Sequence, residues 1–187
     1  NLEDFPAGTF ENVDDVHFVA CGTSYHAALY GQQLLSNAGI RAQAFRASEY
    51  VDASPGPVSE STLVIAVTQS GETADTLGAL RQAKAEGAGV ITGRNVVGST
   101  RARTADKALF IRAGPEIGVA ATKTFSSQAV TLSLLSVRLA EDIDNASPPD
   151  DVDEMLSAIY DLPQQVEEMV ETTNAKAVAE KYSESES

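Results

Sequence analysis

The sequence of 187 residues has a single cysteine, few basic residues and no long apolar run. One cysteine, Cys21, permits no internal disulfide and fits a reducing compartment, so we expect a cytoplasmic protein. No apolar run approaches the ~20 residues that a membrane-spanning helix needs, and the first four residues lack the basic front of a signal peptide. We therefore expect neither a membrane span nor a secretory signal.

Basic residues are scarce relative to acidic ones. Thirteen Lys and Arg stand against 27 Asp and Glu, which gives a formal net charge of -14. This charge disfavours binding of nucleic acid or of an anionic membrane over most of the surface. The acidity either serves solubility alone or reflects adaptation to high salt, in which ions screen the self-repulsion of the protein.

The length favours one domain with an appendage over two full domains. A linker-like run, Asp-Asn-Ala-Ser-Pro-Pro-Asp at 144–150, predicts a domain at 1–145 and a linker with helices at 146–187. Because the sequence has no initiator Met and ends abruptly in Ser-Glu-Ser-Glu-Ser, we expect a piece of a longer chain.

Short apolar runs alternate with helical patterns along the first 145 residues. The predicted strands are 16–20, 41–46, 62–67, 89–92 and 107–111. The predicted helices are 25–38, 74–86, 99–105, 121–140, 151–169 and 173–181, with a single helical turn at 48–51. Strands separated by helices of 10–15 residues indicate βαβ units and a parallel sheet. We expect a three-layer α/β fold, with a five-stranded parallel sheet of flavodoxin-like order 2-1-3-4-5, helices on both faces and additional C-terminal helices.

Two polar turns follow predicted strands and precede predicted helices. One is Cys21-Gly22-Thr23-Ser24, and the other is Thr-Gln-Ser-Gly-Glu-Thr at 68–73. The first N–H groups of a helix lack partners and its dipole is positive there, so each turn favours an anion such as phosphate. The second turn has no lysine in the GxxxxGK[ST] pattern and is therefore not a nucleotide P-loop.

In the order 2-1-3-4-5 the first and third strands are neighbours, and their helices leave on opposite faces. Open α/β sheets bind ligands at such a switch point, so the two turns are expected to converge on one small anion. The alternative is that Ser24 and Thr73 only cap their helices.

Three segments together resemble the sugar isomerase (SIS) domain family. They are Cys-Gly-Thr-Ser at 21–24, Thr-Gln-Ser-Gly-Glu-Thr-Ala-Asp-Thr at 68–76 and Glu-Ile-Gly-Val-Ala-Ala-Thr-Lys at 116–123. The resemblance runs from about Val16 to Leu139. It is most specific for the first of the two SIS domains in the isomerising glutamine–fructose-6-phosphate aminotransferases, the glucosamine-6-phosphate synthases.

The resemblance implies a set of sugar-phosphate-binding residues. They are Gly22, Thr23, Ser24, Thr68, Gln69, Ser70, Thr73, Val119 and Ala121. This chain departs from the family pattern at three positions: Thr68 replaces the usual serine and keeps a hydroxyl, Ala121 stands where the family has a serine, and Pro115 replaces a polar residue.

The resemblance also implies a function. The complete enzymes would make glucosamine 6-phosphate from fructose 6-phosphate and glutamine, with a second SIS domain, a glutaminase domain and a homodimeric partner. Their catalytic residues lie outside the region matched here, so we assign none and expect this chain alone to be inactive. No cofactor is expected. The alternatives are another SIS enzyme, either a sugar-phosphate deaminase or a fructosamine deglycase, and a non-catalytic sugar-phosphate sensor.

Several reactive residue types invite other interpretations. Cys21 ends a buried strand, so a small core or pocket residue is a better interpretation than a nucleophile. His17 alternates within a strand and is interpreted as structural, and His26 as a surface residue near the pocket. Lys123 is interpreted as a surface or salt-bridged residue, and Glu72 as support for its loop. The spacing of the two histidines and one cysteine predicts no metal site.

Overall fold

The computed structural model describes residues 4–53, 57–69, 74–95, 105–117, 121–149 and 151–183. The chain forms two compact units, Asn1–Asp150 and Asp151–Ser187. The strands of the first unit are β1 (Asp15–Ala20), β2 (Arg41–Arg46), β3 (Thr62–Val67), β4 (Gly89–Arg94) and β5 (Lys107–Phe110). Its helices are α1 (Thr23–Asn37), α2 (Ala47–Ala53), α3 (Ala74–Ala85) and α4 (Lys123–Asp142).

The five strands form one parallel sheet in the order β2-β1-β3-β4-β5, which confirms the predicted fold class. Val19 of β1 lies between Phe45 of β2 and Ala66 of β3. All six residues of the central β3 are buried. Such a continuous apolar run is typical of a parallel strand that is covered on both faces.

Helices cover both faces of the sheet, and each face has its own apolar core. Phe18 and Ile65 contribute to the core under α1 and α4, whereas Val19, Val64 and Ala66 contribute to the core under α2 and α3. Because neighbouring residues of a strand point to opposite faces, β1 and β3 serve both cores. The helices after β1 and β3 therefore lie on opposite faces, as the switch-point prediction requires.

A glycine permits a close approach among α1, α4 and the sheet. A Cβ atom on Gly31 would lie 3.0 Å from Cζ of Phe18 and 3.3 Å from Cδ1 of Leu132. The hydroxyls of Tyr30 and Ser133 also share a hydrogen bond of 2.9 Å between the two helices. Packing and polar contacts thus both join α1 to α4.

The segment that precedes β1 is irregular, and it contributes two aromatic side chains to the core. Phe5 and Phe10 are buried and stack with their ring centroids 5.5 Å apart. The Asp142 carboxylate accepts hydrogen bonds from the amides of Gly8 and Phe10, at 2.9 and 3.1 Å. It also forms an ion pair of 2.7 Å with Arg138. The segment is therefore fastened to the last turn of α4.

Several predicted boundaries need correction. The single turn predicted at 48–51 is part of a longer helix, α2, whose Ala47 and Tyr50, three residues apart on one helical face, are both buried in the core. β4 extends to Arg94, and β5 ends at Phe110 rather than Ile111. Of the short helix predicted at 99–105, residues 99–104 lie outside the described residues, and Ala105 is not helical.

The second unit contains α5 (Val152–Thr172) and α6 (Ala175–Tyr182), at the places where helices were predicted. Neither helix has a fully buried residue among those described. Asn174 caps α6 by accepting the Ala177 amide at 3.0 Å. Within the described part of the chain, no helix is long and apolar enough to cross a membrane.

Candidate functional site

The first polar turn joins the carboxyl end of β1 to α1. Gly22 has φ 57° and ψ -135°, and it occupies the N-cap position of α1 without a side-chain cap. Only glycine adopts this backbone region readily, so the sharp turn depends on it. The N–H groups of the first helical turn consequently point out of the sheet edge, where an anion is favoured.

Ser24 is the second residue of α1, and its residue surface is only 8% exposed. Its Oγ accepts a hydrogen bond of 2.9 Å from Nε2 of Gln128, a buried residue of α4. Because Gly22 holds the N-cap position and α1 has no side-chain cap, the capping alternative fails for Ser24. Thr23, beside it, is half-buried, and Gly22 is exposed.

The second polar turn begins with Thr68, which is buried, and continues with Gln69, which is half-buried. The Thr68 amide donates to the Gly93 carbonyl at 3.0 Å, and the Asn95 amide donates to the Gln69 carbonyl at 3.2 Å. Strand-like bonds thus hold the beginning of this turn against the end of β4. The geometry places Thr68 and Gln69 at the same sheet edge as Gly22, Thr23 and Ser24.

Three of the predicted site residues, Ser70, Thr73 and Val119, lie outside the described residues, as does Glu72. Ala121 is half-buried and lies two residues before α4, the helix that supplies Gln128. Of the nine predicted residues, the structure therefore describes six and brings five of them to the β1–β3 edge.

Glu116, from the third motif, caps the N-terminus of α4 although it lies seven residues before the helix in the sequence. Its carboxylate accepts hydrogen bonds from the Thr122 hydroxyl and from the Thr124 amide, each of 2.9 Å. Contacts with the side chain and amide of Thr124, followed by those with Thr122, lower the pKa of Glu116 to about 2. A carboxylate at a helix N-terminus is stabilised by the helix dipole, so Glu116 fixes the start of α4.

Two further residues at this side of the molecule were missed in the sequence. Gln128 lies inside an apolar helix, where a single amide gives no periodic pattern. Arg94, the last residue of β4, is 8% exposed, and its guanidinium lies 5.1 Å from the centre of the Phe110 ring. An arginine directly after an apolar run, next to a polar turn, could have indicated a cation at this edge.

The remaining reactive side chains are two histidines, one lysine and the cysteine that begins the first turn. His17 is buried, with Nδ1 3.1 Å from the Tyr50 hydroxyl and Nε2 3.3 Å from Asp15. His26 and Lys123 are exposed, whereas Cys21 is half-buried beside the core under α2 and α3. Among the described residues, no group of three or more His, Cys, Asp or Glu could hold a metal ion.

Comparison with known proteins gives several matches. Two glutamine–fructose-6-phosphate aminotransferases (isomerizing) are similar to this chain. The one from Halobacterium salinarum is 50% identical over 164 residues, covering 87% of this chain and 27% of the relative. The one from Thermococcus kodakarensis is 45% identical over 161 residues, covering 86% and 26%. The chain thus spans about a quarter of the length of these relatives.

A solved structure is also similar. It is the C-terminal domain of the glucosamine-fructose-6-phosphate aminotransferase from Francisella tularensis, with a TM-score of 0.82 and 30% identity. The match covers 94% of this chain and 49% of that one. The SIS domain family matches residues 9–138, which contain the sheet and both polar turns. The chain therefore belongs to the SIS domain family.

Proposed function

We propose that this chain is the sugar-phosphate-binding part of the isomerase region in a glutamine–fructose-6-phosphate aminotransferase. The complete protein would make glucosamine 6-phosphate from fructose 6-phosphate and glutamine. The observation that carries the proposal is that the described parts of the two polar turns, 21–24 and 68–69, follow the neighbouring parallel strands β1 and β3 at the same end of the sheet. The 50% identity to the Halobacterium salinarum aminotransferase supports the choice of this reaction among those of SIS proteins.

The chemistry of the turns suits a phosphate. Hydroxyls of Ser24 and Thr68, the Gln69 amide and the first N–H groups of α1 are all uncharged donors. Each hydrogen bond to a charged group contributes roughly 1.5–3 kcal/mol before desolvation and ordering are subtracted. Ser70 and Thr73 stay predicted donors of the same site, and Val119 and Ala121 predicted contacts of the sugar.

The described parts of the two turns, 21–24 and 68–69, contain no carboxylate and no histidine. Isomerisation of a keto sugar needs a base that moves a proton between C1 and C2. We therefore assign binding to these turns and catalysis to other parts of the complete protein. The purified chain is expected to show no turnover, and measurable turnover with contamination excluded would contradict this division.

The proposal includes the surroundings of the domain. Residues 146–187 would lead from the domain at 1–145 towards a second SIS domain, and a glutaminase domain would supply ammonia from glutamine. We also propose a cytoplasmic homodimer that binds no nucleic acid; the lone cysteine and the net charge of -14 support the location and the absence of nucleic acid. Light scattering of the chain tests the dimer, and a monomeric mass would contradict it.

A saline cytoplasm is the second part of this proposal. The net charge of -14 and the similarity to a protein of Halobacterium salinarum support it. Salt at molar concentration screens like charges over about 3 Å, so it should relieve the self-repulsion of the folded chain. We expect the melting temperature to rise between low and molar KCl. An unchanged melting temperature would remove the halophilic interpretation.

Calorimetry with fructose 6-phosphate and glucosamine 6-phosphate tests the site itself. Fructose, which lacks the phosphate, should not bind measurably. Ser24→Ala should raise the Kd about tenfold or more, because one donor to a charged group is lost. Ser36→Ala is the matched control, because Ser36 is exposed at the other end of α1.

The second turn is tested by the double variant Ser70→Ala with Thr73→Ala, which should also weaken binding. Unchanged affinity in this variant and in Ser24→Ala would show that the cradle is assigned to the wrong residues. If the unmodified chain bound neither sugar phosphate, the binding function itself would be refuted.

A further inference from the structure

Gln128 is an uncharged polar residue in the buried interface between α4 and α1. Its residue surface is 1% exposed, and Leu132 and Leu135 of the same helix are also buried. Its Nε2 donates the hydrogen bond of 2.9 Å to Oγ of Ser24. One buried side chain therefore reaches from the opposite helix to a residue of the candidate site.

The direction of this hydrogen bond decides what Ser24 can do. A serine hydroxyl has one proton and two acceptor lone pairs. Because Oγ of Ser24 accepts from Gln128, its proton remains available for another acceptor. We propose that Gln128 is a positioning residue that keeps the Ser24 hydroxyl as a donor to the phosphate. This inference rests on the proposed sugar-phosphate function.

The other half of the Gln128 amide supports a role beyond stability. Its Oε1 is buried and has no hydrogen-bond partner among the described residues. A buried carbonyl without a partner destabilises a fold, so an apolar side chain of similar size would suit this interface better. The contact with Ser24 therefore explains why an amide side chain stands at position 128.

A purely structural tie between the helices is not the better explanation. The hydroxyls of Tyr30 and Ser133 already form a hydrogen bond between α1 and α4, and Gly31 packs closely against Leu132. Neither contact touches a residue of the candidate site. Loss of the Tyr30–Ser133 hydrogen bond therefore shows the effect of weakening the packing of α1 on α4 without a change at Ser24.

A double-mutant cycle on fructose 6-phosphate binding tests the proposal. The variants are Gln128→Met, Ser24→Ala and the two combined. Gln128→Met should raise the Kd about threefold to tenfold, because Ser24 loses its fixed orientation while keeping its hydroxyl. In the Ser24→Ala background, adding Gln128→Met should change the Kd no further. Tyr30→Phe, which removes the other polar contact between the helices, should leave the Kd unchanged.

Gln128→Glu gives an independent measurement. Burial favours the protonated carboxyl, whose O–H can donate to Oγ of Ser24 as the amide does, so Gln128→Glu should bind fructose 6-phosphate more tightly than Gln128→Met does. Binding unchanged in Gln128→Met, or weakened equally with and without the Ser24 hydroxyl, would overturn the positioning role. Binding by Gln128→Glu no tighter than that of Gln128→Met would overturn it too. If the unmodified chain bound no fructose 6-phosphate, the proposed function would be refuted. If the unmodified chain bound it and the variants behaved as in these contrary outcomes, only the positioning role would be refuted.

Discussion

Asp142→Asn should loosen the N-terminal segment from the end of α4. The carboxylate accepts the amides of Gly8 and Phe10 and pairs with Arg138, and its side chain is only 5% exposed. An asparagine retains one acceptor oxygen and has no charge. At least one backbone amide therefore loses its partner, and the guanidinium of Arg138 loses its buried counter-charge.

The expected cost follows from the number of contacts. A hydrogen bond to a charged group contributes roughly 1.5–3 kcal/mol, and a neutral one about 1 kcal/mol. With one acceptor kept and the charge removed, the free energy of unfolding should fall by about 2 kcal/mol. For a chain of this length, each 1 kcal/mol shifts the melting temperature by about 2–4 °C. The melting temperature should therefore fall by about 4–8 °C.

Thermal unfolding followed by circular dichroism measures this change, and Glu141→Gln is the matched control. Glu141 pairs with the same Arg138 at 3.1 Å, but its side chain is 55% exposed, so its loss should cost less than about 1 kcal/mol. Hydrogen exchange gives a local measurement, because the amides of Gly8 and Phe10 should exchange faster only in Asp142→Asn. Equal effects of the two substitutions would refute the view that Asp142 fastens the segment.

Three further predictions concern the backbone, the acid limit and the core. No atom of the described residues other than its chain neighbours lies within 4 Å of a Cβ on Gly22, so Gly22→Ala should cost about 1–3 kcal/mol in urea unfolding through backbone strain. Hydrogen bonds lower the pKa of Glu116 to about 2. Burial raises the pKa of Asp142, but the hydrogen bonds that its carboxylate accepts outweigh burial and lower the pKa. The stability that these carboxylates contribute is present above their unfolded pKa values, near 4.5 and 3.8, and should be lost as the pH falls through the folded values. Glu116→Gln should make the loss of stability at low pH smaller, because the carboxylate that titrates is gone. An unchanged dependence of stability on pH would contradict the role of Glu116 at the start of α4. Tyr50→Phe should cost about 1 kcal/mol, because the buried Nδ1 of His17 loses its partner, and an unaltered unfolding free energy would contradict that contact.

The sheet was predictable because its signal is local and repeated. Most strands are short apolar runs, and the strands alternate with helices, so the parallel arrangement follows from the pattern. β3, in which every residue is apolar or threonine, was predicted to the residue, as was β2. The strand order required more than pattern, and the two polar turns with the family resemblance supplied it.

The parts that were missed depend on contacts between distant residues. Phe5 and Phe10 lie in an irregular segment without periodicity, so nothing nearby in the sequence indicates that both are buried. Gln128 is 104 positions away from Ser24 and becomes meaningful only when α1 and α4 pack together. Glu116 resembles part of a binding motif, whereas its described contacts all serve the start of α4.

The close approach at Gly31 has a consequence for any ligand that Ser24 binds. Gly31 lies seven residues after Ser24 on α1, about 10 Å along the helix axis. A methyl group there would meet Phe18 and Leu132 at 3.0 and 3.3 Å, so the helix would have to shift or its neighbours to yield. Such a shift would change the distance between Oγ of Ser24 and the amide of Gln128. The absence of a side chain at Gly31 thus helps to set the distance between Ser24 and Gln128. The affinity for a ligand of Ser24 can therefore depend on a residue that does not contact the ligand.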